Sequence, residues 1–330
     1  MKRLSVFSIL SVLALAAAPL LAEGGVRSRR PLVVQRPGSN SASSAEKSAR
    51  VIPGSATAAG YSVQLNIVTR VQGTSFFRTA VDISNNTTTD GVTAAYQYCY
   101  TLNGAYQGCT ASQTIVLHPL DNFHTDDVVA YLGGLNLLAP GAADASFGTF
   151  LVTFSGLPSG NGWEGTVTGR TYSPYDQANP AAGTVAIAYP GSLFFESASG
   201  SLVGIVRDTR PAPTDAGALR TNLGITNTDA LVSGQPVQVQ VTLYDTATGG
   251  HVGNILTRTL QPGEVTQIND LFTAAAVPTN VVSCIVFVDT VGPLPNPAPT
   301  IEGYINILDG GTQDGAYFEL KCSAGCPSFN

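Results

Sequence analysis

Apolar and polar residues alternate along most of the chain after residue 60, in short runs separated by Gly, Pro, Asn and Asp. A period of two places successive side chains on opposite faces, which is typical of strands that pack one face on a core. The runs in the first half predict strands near 63–71, 76–84, 92–102, 114–117, 148–154, 165–171 and 184–189. Those in the second half predict strands near 202–207, 219–226, 237–244, 255–260, 281–288, 301–308 and 316–320.

The two halves repeat each other. The segment FRTAVDISN at 77–85 returns as LRTNLGITN at 219–227, with an offset of 142 residues from Arg78 to Arg220. The segment VLHP at 116–119 returns as TLQP at 259–262. A repeat of this length indicates a duplicated domain. We therefore predict an all-β protein of two tandem Ig-like β-sandwich domains, residues 60–191 and 192–330, each with its own hydrophobic core.

A short helical turn is expected in each domain. Asp127 precedes the apolar run 128–132, and Asp270 precedes the run 271–276. Asp is a favoured N-cap residue because its carboxylate accepts hydrogen bonds from the unpaired amides of the first turn. Each sandwich should therefore close at one end with one or two turns of helix.

The repeated motifs resemble those of a family of exported bacterial β-sandwich proteins with no established activity. The shared features are the Arg-Thr-x-Val/Leu-x-Ile-x-Asn strand, the Leu-x-Pro-Gly corner and a closing Gly-rich hairpin. The second copy has the corner intact as Pro262-Gly263, whereas Leu120 replaces the Gly in the first copy. The resemblance implies a fold and export, and it implies no chemistry.

The N-terminus has the features of an export signal. Lys2 and Arg3 precede an apolar run over 4–18, and Leu20-Leu21-Ala22 provides a cleavage site, so residues 1–22 are predicted to be a signal peptide. Residues 23–59 are rich in Ser, Ala, Arg, Gly and Pro and are predicted to be a disordered linker. We expect secretion to the periplasm or the exterior, with no transmembrane segment.

Charge argues against one class of partner. The net charge is −6 and charged residues make up 12% of the chain, so the concentrated basic face that nucleic acid requires is not expected. A surface glycan or a protein remains as the expected kind of partner, and no cofactor is predicted.

Five cysteines suit an oxidising compartment. Cys99 and Cys109 flank an Asn-Gly turn signal, which predicts a disulfide across a hairpin. Of the remaining three, either Cys322 pairs with Cys326 or Cys284 pairs with Cys322.

Tyr96, Tyr98 and Tyr100 alternate along one strand and share a face, so they are candidate ligand-binding residues that can stack on a sugar. The duplication favours a different interpretation. An odd offset aligns them with Val239, Val241 and Leu243, which face a core.

Two other groups carry possible ligands for metal ions. His118, Asp121, His124, Asp126 and Asp127 lie close in sequence, but the second copy has Gln261 and Gln267 at the histidine positions, so structural roles are favoured. The acidic, Gly-rich segment 309–315 lacks the spacing of a calcium loop, and a hairpin turn is favoured there. No metal site is predicted.

Arg78 and Arg220 occupy the same position in both copies and lie opposite the apolar face of their strands. We expect each to pair with a carboxylate on a neighbouring strand, with binding of an acidic partner as the alternative.

No nucleophile elbow, phosphate-binding loop or convergent acid pair is evident. We therefore expect a non-catalytic structural, adhesion or binding protein. The alternatives are a carbohydrate-binding protein that uses the tyrosine strand and a cryptic hydrolase.

Overall fold

The structure, a computed structural model, describes residues 60–72, 76–158, 164–174, 178, 183–193, 199–207, 218–228, 234–292, 301–310 and 315–324. The predicted signal peptide and linker lie outside these residues. The described chain is mostly β-strand, arranged in antiparallel sheets with two short helices. The predicted all-β sandwich fold is confirmed.

The strands and helices fall into two sets, here called module 1 and module 2. Module 1 contains β1 (Tyr61–Gln72), β2 (Phe76–Asn85), β3 (Val92–Leu102), β4 (Ala105–Cys109), β5 (Gln113–Leu117), β6 (Asn122–Thr125), α1 (Val128–Gly134), β7 (Ser146–Ser155), β8 (Gly165–Pro174), β9 (Thr184–Pro190) and β10 (Ser192–Leu193). Module 2 contains β11 (Ser199–Val206), β12 (Leu219–Asn227), β13 (Val237–Asp245), β14 (His251–Leu260), β15 (Val265–Ile268), α2 (Leu271–Ala274), β16 (Ser283–Thr290), β17 (Ile301–Asp309), β18 (Gly315–Glu319) and β19 (Lys321–Ala324).

Module 1 has two layers that meet at one hairpin. One layer contains β3 paired with β4, β5 and β7, followed by β1 and β10; the other runs β6, β2, β8, β9. β1 and β2 pair through Arg70–Gln72 and Phe76–Arg78, next to their turn, so this hairpin passes from one layer to the other. Apolar side chains such as Leu65, Val81 and Phe150 fill the space between the layers.

Module 2 repeats this arrangement strand by strand. Its layers run β14-β13-β16-β11-β19 and β15-β12-β17-β18, and β14 takes the place of β4 and β5 together. Even a β-bulge recurs: the register of the first strand shifts between Leu65 and Val68 in module 1 and between Val203 and Ile205 in module 2. The duplication inferred from short motifs therefore extends to the topology of the sheets.

A buried asparagine stabilises the same corner in both copies. The Asn85 amide nitrogen donates to the carbonyls of Leu117 (3.2 Å) and His118 (2.9 Å), and that of Asn227 donates to the carbonyl of Leu260 (3.2 Å). A buried carbonyl without a partner costs free energy, so the amide stabilises a turn that leaves the sheet. This is the structural role of the last residue of the repeated motif.

The corner itself requires a left-handed backbone. Gly263 has a φ of 79°, and Leu120 has a φ of 60° at the matching position. Glycine adopts this conformation freely, whereas a side chain with a Cβ is strained there. Leu120 is also 69% exposed, so its side chain gains little burial in return.

A second pair of arginines, not singled out in the sequence, fastens the helix of each module. Arg70 Nε lies 2.8 Å from Asp127 Oδ2, while Asp127 Oδ1 accepts the hydrogen bond from the Ala130 amide as the N-cap of α1. Arg207, at the end of β11, lies over the Phe272 ring of α2 at 4.9 Å. In both modules the first strand therefore holds the helix at one end of the sandwich.

The modules join through a stack of tyrosines. The Tyr304 ring lies over Gly224 on the outer face of module 2, where a Cβ would overlap with the ring. Tyr304 stacks on Tyr317 at 5.6 Å, and Tyr317 contacts Tyr189 of module 1 at 5.3 Å. Tyr304 and Val265 belong to the hydrophobic cluster of module 1. The expectation that each module has an independent core is therefore wrong at this contact.

Beside this stack the contact is polar. Gln64 Nε2 donates to Asn66 Oδ1 (2.6 Å) and to Glu302 Oε2 (3.3 Å), and the Thr226 hydroxyl donates to Asn66 Oδ1 (3.5 Å). All four residues are buried. β1 is therefore covered on both faces, although its alternating sequence is typical of a strand with one face in water.

Leu120→Gly should stabilise the protein. Removing the strain of a left-handed leucine raises the free energy of unfolding by about 1–2 kcal/mol. The greater conformational freedom of glycine in the unfolded chain offsets part of this gain. We expect a rise of roughly 1–3 °C in Tm by scanning calorimetry. Val116→Gly is the control, because Val116 is 65% exposed in a strand, and its Tm should fall. An unchanged or lower Tm for Leu120→Gly would contradict the assignment of strain.

Gly224→Ala should break the tyrosine stack, because the added methyl group displaces the Tyr304 ring. Overpacking of this kind costs about 1–3 kcal/mol, so we expect Tm to fall by roughly 2–10 °C. Gly134→Ala, in open space at the end of α1, should leave Tm nearly unchanged.

The double variant Gly224→Ala/Tyr304→Ala tests whether this loss arises from the ring. The effects of the two substitutions should be strongly non-additive, since the methyl group has no ring to displace once Tyr304 is removed. Additive losses in Tm would show that the methyl group acts elsewhere.

Candidate inter-module cleft

A cleft of about 170 Å³ lies where the two modules meet. Strands β1, β2, β7, β8 and β9 form one side, and β12, β15 and β17 form the other. The cleft therefore exists only when the modules are docked. Its described lining residues are Ile67, Thr69, Val71, Phe77, Phe147, Thr171, Val185, Ala186, Ile187, Arg220, Asn222, Gln267, Asn269, Asn306 and Leu308.

The wall from module 2 is formed largely by side-chain amides, here called the amide wall: Asn222, Gln267, Asn269 and Asn306. Asn222 and Asn306 lie opposite each other on β12 and β17, and both are more than 90% buried. Gln267 Nε2 donates to Asn269 Oδ1 at 2.7 Å, and the Tyr304 hydroxyl donates to Gln267 Oε1 at 2.8 Å. Burial raises the pKa of the Tyr304 hydroxyl well above its usual value.

Asn306 is the exception within this wall. Its Oδ1 is buried and has no hydrogen-bond partner among the described residues. By contrast, Asn222 Oδ1 accepts a hydrogen bond from the Asp270 amide at 3.0 Å. An unpaired buried acceptor costs about 1–3 kcal/mol, so each such atom calls for an explanation, for example a bound ligand, ion or water.

The wall from module 1 is mainly apolar. It presents two partly buried aromatic rings, Phe77 and Phe147, together with Ile67 and Val71. Leu308 of module 2 completes this surface. The cleft thus has one polar side and one apolar side.

Electrostatics limit the chemistry of the cleft. Arg220 is exposed at its rim, and none of the lining residues within the described part of the chain is Asp, Glu, His, Ser or Cys. The lining therefore offers hydrogen bonds and a positive rim, without a carboxylate to attract a cation.

The amide wall corresponds to a charged surface in module 1. Gln267 on β15 takes the place of His124 on the matching strand β6, and Asn269, just after β15, takes the place of Asp126, just after β6. In module 1 this surface is exposed, and His124 contacts Asp82 and Asp126. In module 2 it faces the other module, and neutral amides cost less to bury than ions.

The predicted tyrosine platform is wrong. Tyr96, Tyr98 and Tyr100 are 2%, 0% and 5% exposed, so they present no ring face to a sugar. The Tyr98 hydroxyl donates to the Val68 carbonyl (3.1 Å), and the Tyr100 hydroxyl accepts from the Ala139 amide (2.9 Å). The core interpretation, based on the duplication, is confirmed.

The repeated arginines diverge, and the predicted carboxylate partner of Arg78 is wrong. Arg78 lies over the ring of Tyr172, its direct neighbour on β8, at 4.7 Å, and within the described residues it makes no ion pair. Its buried Nε has no hydrogen-bond partner there. Leu308 stands opposite Arg220 in place of the tyrosine, and Arg220 lies at the cleft rim.

The Cys99–Cys109 disulfide is present as predicted, across a turn in which Asn103 and Gly104 both have positive φ. The bond also belongs to the module contact. A Cβ at Gly263 would lie 2.9 Å from Cys99 Sγ, so the corner of module 2 packs closely on it.

The proposed Cys284–Cys322 pair is wrong. Cys284 is a buried free thiol, and burial is the main cause that raises its pKa to about 11, with Asp245 adding to the shift. Its strand and that of Cys322 lie on opposite sides of β11, about 9–10 Å apart, beyond the span of a disulfide. Cys326 lies outside the described residues.

The predicted cluster of His and Asp residues separates. His118 and Asp121 are exposed, and Asp127 caps α1. His124 Nδ1 lies 2.9 Å from Asp82, and its Nε2 lies 3.2 Å from Asp126. No group of three or more residues suited to holding a metal ion is found in the described chain. Segment 309–315 connects the β17–β18 hairpin, and its residues 311–314 lie outside the description.

Comparison with known proteins gives no family for this chain. No protein-family model matches it, and no curated protein is significantly similar to it in sequence. Among the described residues, no helix is long and apolar enough to cross a membrane.

The amide wall and the arginine pair Arg70 and Arg207 were missed by the sequence analysis. The arginines had a signal, since Val68-Thr69-Arg70 and Ile205-Val206-Arg207 end matching strands. The amide wall had a weaker one in Asn222, which replaces Ala80 within the repeated motif.

The contacts of His124 predict a pH effect. Hydrogen bonds to Asp82 first, and then to Asp126, raise its pKa. The protonated ring therefore stabilises the fold below the pKa of the unfolded state, about 6.5, and this contribution disappears as pH rises through the folded pKa. The effect on stability is small because the pair is exposed.

Asp82→Asn should lower the His124 pKa measured by NMR titration. Asp121→Asn is the matched control, since Asp121 is exposed nearby and its carboxylate accepts from the Asn122 amide and not from the imidazole. An unchanged His124 pKa in Asp82→Asn would refute the pairing.

Proposed function

We propose that the protein is an exported, non-catalytic binding protein that holds a small polar ligand in the inter-module cleft. The observation that carries the proposal is the unpaired, buried Asn306 Oδ1 in the amide wall. A ligand in the cleft that donates a hydrogen bond to this atom, once the Asn306 amide turns toward it, satisfies an acceptor that has no partner among the described residues.

The composition of the cleft supports binding over catalysis. Its described lining residues include no Ser, Cys, His, Asp or Glu, so the nucleophiles and bases most used in hydrolysis are missing from its walls. A convergent set of polar groups within a mainly apolar cavity is instead typical of a ligand site.

Export is part of the same proposal. It rests on the signal peptide predicted for residues 1–22, on the resemblance to exported sandwich proteins and on the Cys99–Cys109 disulfide, a bond that persists in oxidising compartments.

Both modules contribute a wall, so binding should stabilise their contact. A ligand that binds only the docked, folded state raises Tm, and the rise grows with the logarithm of the ligand concentration above Kd. Two modules with a defined mutual orientation are therefore needed for this site, whereas a flexible pair of domains lacks it.

Narrowing the mouth of the cleft tests this function. The purified protein is screened by saturation-transfer NMR and thermal shift against monosaccharides, amino acid amides and small carboxylates at millimolar concentration. Asn269→Trp places a large ring at the exposed rim and should weaken binding of any hit at least tenfold. Asn254→Trp, at an exposed position of β14 away from the cleft, should bind as the unmodified protein does. Binding that survives Asn269→Trp, or no binding in the whole panel, refutes the cleft as the ligand site.

A further inference from the structure

The two walls of the cleft differ in polarity, and this difference selects a ligand. A molecule that fits must present hydrogen-bonding groups to the amide wall and an apolar face to Phe77 and Phe147. Ions fit poorly in the interior, because the deepest polar groups are neutral amides, and Arg220 at the rim disfavours cations.

We infer that the cleft binds a single sugar ring, an inference that rests on the proposed function and names its ligand class. A pyranose has hydroxyl groups around its edge and C–H groups on its faces. One of its hydroxyls pairs with the amide wall, reaching Asn306 Oδ1 when that amide turns toward the cleft, and its C–H face packs on an aromatic ring of the opposite wall.

Size favours a ring over an extended peptide. A volume of about 170 Å³ is small beside pockets of about 300–1,000 Å³ that enclose drug-sized ligands. An extended peptide advances about 3.3 Å per residue and binds by pairing its backbone with a sheet edge. The polar side of this cleft offers side-chain amides from Asn222, Gln267, Asn269 and Asn306 instead.

The unpaired acceptor also predicts opposite effects on stability and binding. Removing a buried polar atom that lacks a partner costs the fold nothing and can stabilise it. Asn306→Leu should therefore keep or raise Tm while it weakens sugar binding. A residue with a purely structural role would lose stability on the same change.

The test compares three groups of ligands by saturation-transfer NMR and calorimetric titration. They are methyl glycosides of common hexoses, cyclohexanol derivatives that keep the ring but carry one hydroxyl, and N-acetyl amino acid amides. We expect a glycoside to bind with an affinity at least tenfold above its cyclohexanol analogue. Asn306→Leu and Phe147→Leu should each weaken that binding by about tenfold. Asn254→Leu is the control for Asn306→Leu, and it should leave the affinity for the glycoside unchanged.

The outcomes separate this inference from the proposed function. If amino acid amides bind in the cleft and glycosides do not, the binding function stands and the sugar is wrong. If no ligand binds, both fail. If glycosides bind equally to Asn306→Leu, the role of Asn306 and the inference are wrong. A fall in Tm of Asn306→Leu would contradict the argument from the unpaired atom, and Phe147→Leu would then test the sugar ring alone.

Discussion

The arrangement of this molecule depends on the close approach of the Tyr304 ring to the backbone of Gly224. Because Gly224 has no side chain, the ring lies flat on the outer face of module 2 and extends into the hydrophobic cluster of module 1. Aromatic rings contribute large buried areas, so one ring can fix two sheets against each other. The stack with Tyr317 and Tyr189 continues this contact, and the cleft lies next to it.

The two copies have diverged where their surroundings differ and have stayed alike where they do not. Asn85 and Asn227 stabilise the corresponding corner of each module, and Asp127 and Asp270 cap the corresponding helices α1 and α2. These roles are retained because each is internal to a module. The two copies differ on the outer face of the layer that contains β2 and β6 in module 1 and β12 and β15 in module 2. Around β6 it is charged and exposed in module 1, whereas the matching positions on and just after β15 carry neutral amides at the module contact in module 2. A buried charge is costly and a buried amide less so, which accounts for the direction of the change.

Much of the fold could be predicted from the sequence, because period-2 alternation and the repeated arginine strand depend on local rules. Short strands could not be predicted in this way, because they contain too few residues for a period to be visible. β6 spans Asn122–Thr125, and β10 has two residues. The disulfide had a local signal in the Asn-Gly turn. The cleft had none, since its walls come from strands up to about 240 residues apart, as from Ile67 to Leu308, and since polar residues on an outer face predict contact with water. The same limit applies to β1. Gln64 and Asn66 alternate with apolar residues and so predict a face in water, but polar side chains like these are equally suited to contact with a neighbouring module.

The hydrogen bonds of Gln64, Asn66, Thr226 and Glu302 have a consequence for evolution. Water can also satisfy the hydrogen bonds of these four side chains. A single module would therefore expose no large apolar patch at the positions of these four residues. An ancestral single-copy protein could thus have existed as a stable monomer before the gene was copied. The tyrosine stack differs, because its rings bury a large apolar area only when both modules are present.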